Sequence, residues 1–181
     1  MRASLTPIQG LLEIYPKVLQ DARGYFFESY QHKKLKELGI KDLFIQDNQS
    51  FSSKGVLRGI HFQNSPSQQS KLIRVIKGRV LDVAVDLRPD SPTFGRHHAT
   101  ILDDVEHKLF YMPEGFGHGF LALEDTILAY KCTDYWDPAA EGGILWSDPE
   151  LAIDWGVASP NVSEKDQKLP TFKEFTNSLN R

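Results

Sequence analysis

RVLDVAVDLR, residues 79–88, alternates its side chains with the clearest period of two in the chain. On an extended backbone Leu81, Val83, Val85 and Leu87 fall on one face, and Asp82, Ala84, Asp86 and Arg88 on the other. Segments of the same kind lie on both sides of it. Residues 72–76 precede the turn Lys77-Gly78, and residues 99–102, 107–112, 116–123 and 126–135 follow. PDSPTFG (89–95) and Pro113-Glu114-Gly115 separate them as loop and turn. These signals recur roughly every 8–15 residues with Gly and Pro between them, the pattern of an all-β barrel or sandwich.

The flanks are less regular. Residues 11–19 surround Pro16 and read as a short strand or edge segment. Asp21-Ala22-Arg23-Gly24 is a turn, and residues 25–30 (YFFESY) form an aromatic strand. HKKLKEL (32–38) closes at Gly39 as a short helix. After Trp136 the chain becomes loop-rich, with Trp146 and Trp155 as packing anchors and a short helix near 172–179. No internal repeat appears, so residues 1–181 are expected to be one domain, a length that buries a full core.

The formal net charge of −3 and the absence of runs of like charge argue against an extended nucleic-acid surface. The single cysteine, Cys132, excludes an intrachain disulfide and a zinc site built from several thiolates. The N-terminal residues contain prolines and lack the apolar core of a signal peptide. No apolar run approaches the ~18 residues needed to span a bilayer. The expectation is a cytoplasmic protein with no membrane partner.

Chemistry-bearing side chains concentrate in QDNQSFSSKGVLRGIHFQNSPSQQSK, residues 46–71. Gln46, Asn48 and Ser50 are two apart and share one face of a strand. Arg58 and His61 are three apart and would face opposite ways on a regular strand. Gly59 lies between them, and a glycine inside a strand often marks a bulge. A bulge there would turn the guanidinium and the imidazole into one pocket.

A metal centre is disfavoured. The position two after His61 holds Gln63, a poor transition-metal ligand. His97 and His98 are adjacent and face opposite sides of a strand, and no carboxylate is placed to complete a set with His61 and His118. The groups left for a metal-free pocket are His61 as base, Tyr130 and Tyr135 as phenolic acids, the cations Arg23, Arg58, Lys71 and Lys165, and the carboxylates Asp82, Asp86 and Asp166. Neither a nucleophile elbow nor a glycine-rich phosphate loop is present, and Cys132 lies in an apolar strand as an inert thiol. Histidine, with a reference pKa of about 6.5, suits proton abstraction near neutrality. Tyrosine keeps its proton there and can donate it, while a lysine can hold the charge of an enolate. This set matches proton abstraction beside a carbonyl and reprotonation, without a cofactor.

Longer motifs then become recognisable in order: DARGYFFES (21–29), IQDNQSFSSKGVLRGIHFQ (45–63), KLIRVIKGRVLDVAVDLRPDSPTFG (71–95), MPEGFGHGF (112–120), YKCTDYWDP (130–138), EGGILWSDPELAIDW (141–155) and SEKD (163–166). Together they cover nearly the whole chain, which resembles the dTDP-4-dehydrorhamnose 3,5-epimerase family, deoxysugar-nucleotide epimerases of the cupin class. The resemblance implies an all-β, cupin-type jelly-roll barrel with a few short peripheral helices, without metal or cofactor and usually a homodimer. It implies action on dTDP-4-dehydro-6-deoxy-glucose at the two carbons beside the C4 ketone. Carried over by motif, His61 is the proton acceptor, Asp166 its partner and Tyr130 the proton donor, with Lys71 beside them. Contacts to nucleotide and sugar fall on Arg23, Phe26, Glu28, Gln46, Asp47, Asn48, Arg58, Lys71, His118, Glu141 and Lys165.

One position departs from the pattern. The family usually has Tyr where this chain has Trp136, and that ring stacks on the thymine. Trp keeps the stacking face and loses the phenol hydroxyl, so the departure bears on nucleotide preference more than on the reaction. Three other readings compete: an enzyme of the same fold that epimerises one carbon only or acts on another 4-keto sugar nucleotide, a non-catalytic sugar-nucleotide binder, and a metal-dependent cupin oxygenase. The joint presence of His61, Tyr130 and Asp166 opposes the second, and Gln63 opposes the third.

Overall fold

The computed structural model describes residues 1–179. The first strands are β1 (Arg2–Leu5), β2 (Leu12–Tyr15), β3 (Leu19–Asp21) and β4 (Gly24–Phe26), followed by helix α1 (His32–Glu37). The long strands are β5 (Gln46–Ser52), β6 (Val56–Gln63), β7 (Lys71–Lys77), β8 (Arg79–Asp86) and β9 (His97–Asp103). Then come β10 (Leu109–Met112), β11 (Phe116–Ala122) and β12 (Thr126–Cys132). The short β13 (Glu141–Gly143) and β14 (Asn161–Val162) precede a 3₁₀ turn at Asp166–Lys168 and helix α2 (Phe172–Leu179). One sheet runs β1-β2-β10-β7-β12-β5 and a second runs β13-β6-β11-β8-β9, with β14 joining β6 in parallel. Strands β3 and β4 form a separate hairpin.

From β5 to β8 the chain alternates between the two large sheets, and the ladders between long strands are antiparallel. This is the double-sheet jelly roll of an all-β barrel. Its interior is filled from both sides. Ile73, Val75, Phe110, Met112 and Leu128 of one sheet meet Val80, Ala84, Leu102, Phe116 and Phe120 of the other.

The period-two reading of residues 79–88 agrees with the packing: Ala84 is in the interior cluster, while Val83, Val85 and Leu87 pack on the outer face. That outer face is covered by the C-terminal segment, through Ile144, Leu151, Trp155 and Phe172. Trp155 is an anchor there, donating its indole N–H to the carbonyl of Trp146 at 2.9 Å. A reciprocal cap starts α2, as Thr171 N donates to Glu174 Oε2 and Glu174 N to Thr171 Oγ1. Helix α1 covers the opposite sheet by burying Leu35 with Ile14, Ile40, Leu72 and Leu109. Its first turn is capped by Gln31 Oε1, which accepts from Lys34 N at 2.6 Å.

Several segments are shorter as strands than the pattern predicts, and the one read over 126–135 ends at Cys132. The reading of 107–112 as one strand fails at its start, because His107 has φ of +55° and the ladder begins at Leu109. The aromatic strand predicted over 25–30 ends at Phe26. Beyond it Phe27 packs on His107, ring centres 4.7 Å apart, and Tyr30 meets Phe44 edge-on at 5.9 Å. Among the described residues, no helix is long and apolar enough to cross a membrane.

Candidate active site

A bulge between β6 and β11 shapes the site. His118 is paired with His61, but Phe120 is paired with Arg58, so three steps on β6 match two on β11. Gly59 sits in the extra step with φ of +123°. A Cβ there would lie 2.5 Å from Gly119 Cα and 2.8 Å from the carbonyl oxygen of His118, so the two backbones approach as closely as only glycine allows. The bulge puts Arg58 and His61 on the same wall, as the spacing of the sequence predicts, and both line one cavity of about 280 Å³.

The other walls come from strand periodicity. Gln46, Asn48 and Ser50 of β5 face the cavity, as do Lys71 of β7, His118 and Phe120 of β11, and Tyr130 of β12. Trp136, Glu141, Phe62, Gln63 and Gln69 complete the lining. Among the described residues, no three His, Cys, Asp or Glu side chains come together as a group able to hold a metal ion.

Asp166 lies 105 residues from His61 in sequence, and its Oδ1 is 2.8 Å from His61 Nε2. Its other oxygen accepts the backbone N–H of Gly59 at 3.3 Å, so the bulge and the carboxylate fix each other. The SEKD motif explains the aim of this residue. Ser163 Oγ accepts Asp166 N–H at 3.1 Å and starts the 3₁₀ turn that carries it. Asp166 is buried and holds Nε2–H of a neutral imidazole, which leaves the lone pair on Nδ1. Burial lowers the His61 pKa below its ordinary value, against the opposing pull of Asp166, and Lys71 lowers it further. The imidazole is therefore neutral at pH 7 and able to accept a proton.

Tyr130 makes no hydrogen bond to another described residue, and burial raises its pKa above the usual value, so it holds its proton. Lys71 is buried with neither a hydrogen bond nor an ion pair among the described residues, and burial lowers its pKa. A buried cation with no carboxylate in direct contact among the described residues, beside a neutral base and a protonated phenol, is prepared for negative charge that a ligand supplies or develops.

The remaining sequence-predicted residues fall in several places. Gln46 Nε2 donates to Asn48 Oδ1 at 3.1 Å, and Gln46 Oε1 accepts Trp136 N–H, seating the indole at the mouth. Trp136 is exposed. Glu141 lines the cavity, and its Oε2 accepts at 2.7 Å from Lys165, which does not line it. Asp47 alternates to the other face of β5 and pairs with Lys131. Arg23 and Phe26 are on the exposed β3–β4 hairpin, where Arg23 is held by Asp21 at 2.6 Å. Glu28 follows that hairpin and pairs with Lys34. None of these last four lines the cavity of their own chain.

Ser52, Gln69, Phe62 and Phe120 were not singled out in the sequence, and Ser50 and Gln63 were noticed there without a role in the site. Ser50 was legible as the next member of the Gln46–Asn48 face, and its hydroxyl is buried without a partner among the described residues. Ser52 Oγ accepts from Arg58 Nε at 3.0 Å. Gln63 clamps the loop that presents Trp136, accepting Asp137 N–H at 2.8 Å and donating to the carbonyls of Ser67 and Tyr135.

Residues 5–174 match a family model described as dTDP-4-dehydrorhamnose 3,5-epimerase. A protein of that name from Methanothermobacter thermautotrophicus is 44% identical over 173 residues, 93% of this chain and 93% of its own length. The crystal structure of a dTDP-6-deoxy-D-glucose-3,5-epimerase from Legionella pneumophila Philadelphia 1, in complex with dTDP-4-keto-L-rhamnose, is 45% identical with a TM-score of 0.94. The match covers 98% of this chain and 96% of that one. ChmJ, a 3'-monoepimerase from Streptomyces bikiniensis solved with dTDP-quinovose, is 32% identical with a TM-score of 0.90, covering 96% of this chain and 89% of that one.

Proposed function

This chain belongs to the dTDP-4-dehydrorhamnose 3,5-epimerase family, and from that premise we propose how its own residues carry the reaction. The substrate is dTDP-4-dehydro-6-deoxy-D-glucose, and both carbons beside the C4 ketone are inverted to give dTDP-4-dehydro-L-rhamnose. His61 removes the proton from each carbon through Nδ1, the ring nitrogen that Asp166 leaves free. Tyr130 returns a proton from the other face of the sugar. Lys71 holds the enolate oxygen between the two steps, and each inversion ends when His61 loses its proton and Tyr130 regains one. The observation that carries this reading is the trio in one cavity: a neutral His61 backed by Asp166, a protonated Tyr130, and a buried Lys71 with no direct ion pair among the described residues. A positioned base and acid contribute roughly 10²–10⁴-fold each.

Arg58 and Lys165 hold the diphosphate, Arg through its planar fork, and Trp136 stacks on the thymine. Arg23, Phe26 and Glu28 act in a second copy of the chain. Their hairpin region lies outside its own cavity and exposes Leu19, Tyr25 and Phe26, and a homodimer would bury that surface against the partner's site. The reducing cytoplasm suits the lone buried thiol of Cys132.

A single-carbon epimerase is the second reading, favoured by the structural likeness to the 3'-monoepimerase. An assay in D₂O with dTDP-4-dehydro-6-deoxy-D-glucose separates the two. We expect deuterium at both C3 and C5, no exchange with His61→Ala, and incomplete epimerisation with Tyr130→Phe. Label at one carbon in the wild type refutes the double epimerisation, and label at neither refutes the catalytic reading. Undiminished activity after exhaustive chelation is expected and would eliminate the oxygenase alternative.

A further inference from the structure

A second imidazole–carboxylate pair faces the same cavity. His118 lines it, and His118 Nε2 lies 3.0 and 3.1 Å from the two oxygens of Asp82. Asp82 is fully buried, and His118 is its one hydrogen-bond partner among the described residues. His118 is itself the cross-strand neighbour of His61. The two pairs share a design, with the carboxylate at Nε2 and Nδ1 free of it, but Asp82 has a different setting. Asp166 sits beside a backbone N–H and serves the base. Asp82 receives no backbone donor among the described residues, and its charge acts through space on Lys71.

A buried carboxylate costs several kcal/mol by desolvation, of the order expected for any ion moved into a protein interior. An apolar residue at position 82 would fill the barrel without that cost, as Ala84 does two positions on. The charge is therefore explained by what it faces.

We infer that Asp82 is a positioning residue for the epimerisation, acting through His118 and Lys71 to hold this wall of the cavity ready for the oxygen that becomes negative. The inference rests on the catalytic reading given above. Asp82 fixes His118 as the Nε2–H tautomer and supplies the counter-charge that keeps Lys71 protonated. Lys71 is faced by Cys132 and Tyr130 from β12, Asp82 from β8, His61 and Arg58 from β6, His118 from β11 and Glu141 from β13. Of the carboxylates acting on it, Asp82 and Glu141 raise its proton affinity against the stronger effect of burial. Removing the Asp82 charge therefore makes Lys71 lose its proton at lower pH.

Asp82→Asn keeps the shape and removes the charge. We expect kcat to fall about 10–100-fold, by analogy with loss of the carboxylate that orients a metal-bound imidazole, with a smaller change in KM. The alkaline limb of the kcat profile should move to lower pH, a shift that a purely structural role would not produce. A folded variant with unchanged kcat and an unmoved alkaline limb overturns the inference. Two measurements need no turnover. Nitrogen NMR of the wild-type histidines should show His118 as the Nε2–H tautomer, and carbon NMR of the lysine side chains should show Lys71 titrating lower in Asp82→Asn. A Nδ1–H tautomer at His118 overturns the inference even where the variant does not fold. Absence of epimerisation by the wild type would instead overturn the catalytic reading, and the NMR results would still decide the role of Asp82.

Discussion

Gly59→Ala tests whether the bulge makes the site. The added Cβ would sit at φ of +123°, 2.5 Å from Gly119 Cα and 2.8 Å from the His118 carbonyl oxygen, both backbone atoms in the centre of a sheet. A side chain held at positive φ costs about 1–2 kcal/mol, and overpacking against atoms that cannot rotate away costs about 1–3 kcal/mol. The total is about 2–5 kcal/mol, a large part of the ~5–15 kcal/mol that keeps a domain folded. For a chain of this size each kcal/mol lowers Tm by about 2–4 °C, so a loss of roughly 5–20 °C is expected.

Gly55→Ala is the control. Gly55 also has positive φ, +86°, but nothing lies within 4 Å of its Cβ position, so it isolates the conformational cost. The folded fraction of Gly59→Ala should also lose about 100-fold in kcat, because a 1 Å error in a catalytic group costs about that much. Thermal unfolding by circular dichroism and turnover at a temperature where both variants are folded would give the two numbers. If Gly59→Ala melts with Gly55→Ala and turns over normally, the close approach at the bulge does not hold Arg58 and His61 in place.

Asp166→Asn should lower kcat by about 10²–10⁴-fold, since the amide no longer fixes the tautomer of the base. The acid limb of the profile, which in the wild type lies below the ordinary histidine value, should move to still lower pH because Asp166 raises the His61 pKa. Trp136→Ala should raise KM with little change in kcat, by roughly 5–150-fold if base stacking contributes about 1–3 kcal/mol. Steady-state kinetics at saturating and limiting substrate separate these. Acid unfolding should be carried by Glu13 and Asp86. Burial of Glu13 is outweighed by hydrogen bonds from Thr100 and Tyr15 and by the charge of Lys108, holding its pKa at about 2. Burial of Asp86 is likewise outweighed by Arg88, Ser91 and Thr93, also to about 2. Both pKa values are depressed on folding, so their stabilisation is complete above the unfolded carboxylate range and is lost as pH falls toward 2. Glu13→Gln and Asp86→Asn should each flatten that part of the stability curve, read as Tm against pH.

The long strands, their order along the chain and the division of β8 into two faces were legible in the sequence because period-two patterning is a local consequence of side-chain alternation, but only the fold put the Asp82–Ala84 face inside. The convergence of Arg58 and His61 was legible for the same reason, since a glycine in a strand is a local signal for a bulge. Other features were not local. His61 and Asp166 stand 105 residues apart, and Asp82 and His118 stand 36 apart on neighbouring strands of the closed barrel. Family motifs pointed to the first pair, but nothing in the spacing pointed to the second. Asp47 and Asn48 are adjacent in an equally polar stretch, and only the pairing of β5 with β12 decides that Asn48 faces the cavity and Asp47 faces Lys131. Arg23 and Phe26 belong to a motif that reads like the rest of the site, yet the fold carries their hairpin away from their own cavity. The sequence by itself determined the alternation, the turns and the kinds of chemical group available. Barrel closure decided which groups meet, because burying both sheets fixes strand register, and register sets every long-range side-chain partner at once.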